Sequence, residues 1–79
     1  MWVTTQSQEL VNFSRMEGIW VQFYPKIKPG DPDISYDVMC QGDRLWLLGC
    51  FSTEGRALQV RNEVIQHETD NVDYTVTAS

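Results

Sequence analysis

Between Ile19 and Phe51 the apolar residues recur at every second position, and after Ser52 they recur at the spacing of a helix. That switch of period limits the fold more than any other feature. Ile19, Val21 and Phe23 alternate with Trp20, Gln22 and Tyr24, and Ile34, Tyr36, Val38 and Cys40 alternate with Ser35, Asp37 and Met39. Each run reads as a strand. Pro25, Pro29, Gly30 and Pro32 separate them, and prolines cannot donate to a ladder, so residues 25–33 read as a stiff loop carrying Lys26, Lys28, Asp31 and Asp33. Gly42-Asp43 reads as a two-residue hairpin turn, which sets Cys40 opposite Leu45. The next strand, residues 44–51, is apolar on both faces through Leu45-Trp46-Leu47-Leu48, as in a central strand or one with a covered second face.

Upstream, residues 1–5 and 10–13 read as strands joined by a polar turn, with a further turn at Glu17-Gly18. Downstream, Ser52 is a good N-cap and Glu54 suits the positive end of a helix dipole. Gly55 weakens the start, and the helix is expected to run to His67 or Glu68. Ala57, Leu58, Val60, Val64 and Ile65 fall within an arc of about 160°, the face expected to cover a sheet. The fold class is therefore α+β: an antiparallel β-meander of four to five strands with one amphipathic helix packed on one face. Residues 1–68 make the single domain. Residues 69–79 form either a frayed polar tail or an edge strand through Val72, Tyr74 and Val76, on this chain or a neighbouring subunit.

Seventy-nine residues bury only about 60–65% of the surface of the unfolded chain, so the core is thin. The net charge of −5, with only Arg15, Lys26, Lys28, Arg44, Arg56 and Arg61 as cations, argues against nucleic-acid or anionic-membrane binding, which needs a basic stripe. No apolar run approaches the ~20 residues of a membrane span. The first residues show neither a basic segment nor an apolar stretch of signal-peptide length, so a cytoplasmic location is expected. Cys40 and Cys50 lie too far apart along the proposed hairpin to bond, and reduced thiols are expected.

No enzyme motif is present. His67 is the only histidine, and no nucleophile elbow, HExxH or phosphate loop occurs. Glu63 and His67 share a helix face without further ligands at metal spacing, and Asp31 and Asp33 read as turn residues rather than a calcium site. No metal and no cofactor are expected. Arg61 falls near the centre of the helix's apolar arc. Either it holds an anion in a pocket, or it lies along the apolar surface with its head in water or paired with a carboxylate. Nine aromatic residues, three of them tryptophan, exceed what one helix can cover. On the alternation, Trp20, Tyr24 and Trp46 face away from Ile19, Val21 and Phe23, as a stacking platform or as a second core completed by self-association.

Two stretches resemble a known group. The opening Met1-Trp2-Val3-Thr4-Thr5-Gln6 with Leu10-Val11, and the later Leu47-Leu48-Gly49-Cys50-Phe51-Ser52-Thr53-Glu54-Gly55-Arg56-Ala57-Leu58-Gln59-Val60, are similar to signatures of small phage and prophage proteins, especially of Gram-positive hosts. Gly55 and Arg61 depart from the pattern, which is usually acidic and apolar at those positions. The resemblance implies a viral or mobile-element origin and brings no catalytic residues. By analogy with small phage β-rich oligomers, it suggests a non-enzymatic anti-defence protein, a homo-oligomer that sequesters a nucleotide-derived host immune signal. The ligand-binding candidates are Trp2, Trp20 and Trp46 for stacking, and Arg56 and Arg61 for phosphate. The alternative is a protein-interaction module that inhibits a host protein.

Overall fold

A computed structural model describes residues 1–25, 29–30 and 34–77. The strands are β1 (Trp2–Thr4), β2 (Leu10–Asn12), β3 (Gly18–Pro25), β4 (Ile34–Gln41), β5 (Leu45–Phe51) and β6 (Tyr74–Thr75), and the helix is α1 (Glu54–Asp70). The fold is α+β, as the change of period requires. The antiparallel meander is β3-β4-β5, and the helix packs on it. The N-terminal strands do not extend that meander. They form a second, smaller sheet in the order β2-β1-β6, with β1 antiparallel to β2 and parallel to β6. Of the proline loop, Lys26, Lys28, Asp31, Pro32 and Asp33 lie outside the described residues.

The register of the meander places Ile19 beside Cys40, Val21 beside Val38 and Phe23 beside Tyr36. Across the next turn Cys40 pairs with Trp46, not with Leu45, and Leu45 pairs with Gln41. The loop is therefore residues 42–44, bridged by the Gly42 N–H to the Arg44 carbonyl at 3.0 Å. One residue of slip moves a whole strand's side chains to the other face. Trp46 consequently lies on the helix side with Ile19 and Val21, correcting the expectation that it joins Trp20 and Tyr24. Leu45 and Leu47 face outward and are exposed. A bulge follows, because Met39 pairs with Leu47 while Val38 pairs with Gly49. The extra residue, Leu48, is fully buried.

Leu48 joins Val3, Val11, Val38, Cys40, Phe51, Val60, Val64 and Val76 in one core shared by both sheets and the helix. Gly49 sits where that core is tight: a Cβ there would lie 3.1 Å from the Phe51 ring and from a Val76 methyl. Gly49→Ala should cost about 1–3 kcal/mol, read as a lower urea midpoint. Gln6 ties the two sheets together. Its N–H donates to the Leu48 carbonyl at 2.8 Å, and its side-chain oxygen accepts the Cys50 N–H at 2.8 Å. The amide thus stands in for a neighbouring strand at the edge of β5.

The helix is capped by Thr53 rather than Ser52, its Oγ1 accepting the Arg56 N–H at 3.2 Å. It runs to Asp70 and ends on Asn71 in the left-handed region (φ 54), where the Asn71 and Val72 N–H groups close on the Glu68 and His67 carbonyls. Ala57, Val60 and Val64 are the buried face, whereas Leu58 is exposed. The contact face is therefore rotated by roughly 50° from the middle of the apolar arc, which leaves Arg61 at its rim. Tyr74–Thr75 is an edge strand on this same chain. Val3 pairs with Tyr74, the Val76 N–H donates to the Thr4 carbonyl at 2.9 Å, and Val76 is buried. Residues 74–76 thus belong to the folded unit.

Candidate functional site

A groove of about 310 Å³ opens between β1, β2, the 3-10 turn Phe13–Arg15 and the β4–β5 loop. Trp2, Asn12, Arg15, Met16, Asp43 and Trp46 line it. Each is placed by an identifiable local cause. Trp2 flanks Val3, whose side chain takes the core face, so Trp2 takes the outer one beside Asn12. Asn12 caps the 3-10 turn, its Oδ1 accepting from the Ser14 N–H at 3.2 Å and the Ser14 hydroxyl at 2.7 Å, and this turn sets Arg15 at the groove. Met16 packs under Gly42, where any Cβ would fall 2.8 Å from its Sδ.

Trp46 is held from two sides. Its Nε1 donates to Asp43 Oδ1 at 3.3 Å, and the Arg44 guanidinium lies 3.7 Å over the ring. Arg44 also meets Glu9 at 3.5 Å, but both side chains are largely exposed and the pair contributes little. The groove therefore offers two indoles, a cation in its wall and a carboxylate already engaged with an indole N–H.

The five residues singled out from sequence do not share one site. Trp2 and Trp46 come together. Trp20 lies on the opposite face of the meander, paired with Met39, its Nε1 reaching Gln22 Oε1 at 3.4 Å. Arg56 donates to Thr77 Oγ1 at 3.0 Å with its guanidinium 5.7 Å over Phe51. Arg61 donates to the Ile19 carbonyl at 3.3 Å and to Asn62 Oδ1 at 3.2 Å. Both arginines hold backbone or side chains of their own fold, and neither lines this groove. Arg15 and Met16 were not singled out, because nothing in a sequence places a short 3-10 turn beside a distant hairpin. Arg44 had a readable signal, since it stands two residues before Trp46, in the loop that leads into β5.

Away from the groove, Glu63 and His67 are engaged structurally. Glu63 accepts from the Tyr74 hydroxyl and from Gln59 Nε2 at 3.2 Å. His67 places Nδ1 3.2 Å from the Asp73 carbonyl and its ring edge-on to Tyr74, centroids 4.8 Å apart. Burial, and then the Glu63 carboxylate, push the Tyr74 phenol from 10.0 up to about 12. Folding thus favours the protonated phenol. That stability is complete below pH 10 and is lost as pH rises from there towards about 12. Melts across that window should show an alkaline fall that Tyr74→Phe reduces.

The two cysteines are free and face opposite sides of the meander. Burial raises the Cys40 thiol to about 11, and partial burial followed by Asp37 raises Cys50, so neither is an activated thiolate. Among the described residues no group of three or more His, Cys, Asp or Glu side chains is gathered to hold a metal ion, and no helix is long and apolar enough to cross a membrane. No protein-family model matches the chain, and no curated protein or solved structure matches it.

Proposed function

We propose that this chain is a non-enzymatic binding protein whose groove between Trp2 and Trp46 takes a planar, anionic small molecule of the nucleotide class. The observation that carries the reading is the presence of two indoles and Arg15 in one open groove. Indoles stack on any base, and a guanidinium pairs with phosphate. Asp43, besides holding Trp46, has oxygen lone pairs for a base's exocyclic amine. The sole histidine is committed to a backbone carbonyl and an aromatic edge, which favours capture over turnover. Joined to the resemblance carried by Trp2, Gln6 and residues 47–60, this becomes an anti-defence role: a phage-encoded protein that sequesters a nucleotide-derived immune signal in the host cytoplasm.

Calorimetric titration with a panel of mononucleotides and cyclic nucleotides tests the reading. Binding should be saturable, should weaken roughly tenfold to a hundredfold in Trp46→Leu, and should be unchanged in Trp20→Leu. Absence of binding across the panel, or equal loss in both variants, would overturn it. One observation favours a second reading, a protein-interaction module: Tyr24, Leu45 and Leu47 are exposed on the outer face beside Trp20. That reading instead gives specific co-purification of one host protein, lost in Leu47→Lys and indifferent to Trp46.

A further inference from the structure

Among the described residues no strand pairs with the outer edge of β3, and that edge is unusual. Residues 18–25 carry no charge in a chain of net charge −5, and the strand is eight residues long. Natural edges of that length are normally blunted by lysine, bulges or a covering element. The Ile19 carbonyl is bonded to Arg61 rather than to β4, so Ile19 directs its backbone groups away from the sheet. Alternation then directs those of Val21, Phe23 and Pro25 outward too.

We propose that this edge pairs with β3 of a second copy, antiparallel, about a two-fold axis through Gln22. In that register Val21 faces Phe23 of the second copy and the reciprocal pair repeats, giving four backbone hydrogen bonds. At the ends Ile19 faces Pro25 of the second copy. Pro25 has no N–H to give, and the Ile19 carbonyl, already satisfied by Arg61, needs none. The two defects of the edge therefore cancel. An axis at Val21 would set the satisfied Ile19 carbonyl against the Phe23 N–H, leaving that donor unpaired. An axis at Phe23 would set the Val21 carbonyl against Pro25, leaving that acceptor unpaired.

The side chains agree with the Gln22 axis. Trp20 meets Tyr24 of the second copy on the outer face, Gln22 meets its own copy, and half-exposed Phe23 meets Val21 on the inner face. Two acidic protomers also approach most readily along an edge whose strand carries no acidic residue and whose Ile19 end holds the Arg61 cation. The surface is self-complementary, as a two-fold interface must be.

Sedimentation equilibrium of the full chain at concentrations on the order of 100 μM, suited to a small interface, should show two chains per particle. Hydrogen exchange should show slowed Val21 and Phe23 amides, which β4 does not protect. Gln22→Lys and Gln22→Glu place like charges on the axis, and each should weaken association about tenfold or more while circular dichroism stays native. Mixing the two variants should restore a one-to-one dimer, as an axis that brings the two copies of residue 22 together requires. Single chains with freely exchanging Val21 and Phe23 amides would overturn the proposal, as would a dimer indifferent to both variants or a mixture that fails to restore pairing. Should either variant fail to fold, the exchange measurement on the unaltered chain decides.

Discussion

Leu48→Ala is expected to lower stability by about 2–5 kcal/mol, the range for emptying a fully enclosed leucine site. Leu48 is completely buried and is the extra residue of the β5 bulge, where both sheets and the helix meet. Its neighbours cannot close the gap without breaking the link that joins the sheets, because its own carbonyl accepts the Gln6 N–H. Native domains hold about 5–15 kcal/mol in total, and a chain this short sits at the lower end. A fraction of the variant should be unfolded at room temperature. Urea unfolding measures this as a fallen midpoint at an unchanged slope, and a cost below about 1 kcal/mol would contradict this packing.

Deleting residues 72–79 should cost about 3–5 kcal/mol, although the segment reads as polar. The deletion uncovers core by removing Val76, breaks the ladder between β1 and β6, and takes away the Tyr74 hydroxyl that Glu63 accepts. It also strips the Trp2 N–H of its acceptor, Asp73 Oδ1, at 2.8 Å. The truncated chain keeps the Asn71 N–H on the Glu68 carbonyl and loses only the Val72 N–H from the His67 carbonyl, so fraying of the last turn is a small part of the loss. A truncated protein melting within a few degrees of the full chain would show that β6 is not an integral strand.

The helix and the meander were legible in the sequence because each rests on a local period. Three features were not, and each depends on a contact distant along the chain. The single-residue slip at the β4–β5 loop reversed the faces of Leu45 and Trp46, since alternation fixes relative facing and not register. The period fixes the helix's apolar arc but not which part of it meets the sheet, so on sequence alone Leu58 falls in the core and Arg61 at its centre. Strands β1 and β2 were recognised, yet their separate sheet depends on pairing with residues more than sixty positions away. At the candidate site, Trp2 and Trp46 could be named from composition. Their meeting beside Arg15 required the slip that moved Trp46 and the 3-10 turn capped by Asn12.

The three indole N–H groups provide the most direct test of the groove. In a heteronuclear NMR titration with a nucleotide that binds the protein, the Trp2 and Trp46 indole resonances should move together and saturate at one equivalent. Trp20, on the far side of the meander, should stay in place. Movement of the Trp20 resonance alone, or no movement of any indole while the ligand is bound, would contradict a site between Trp2 and Trp46.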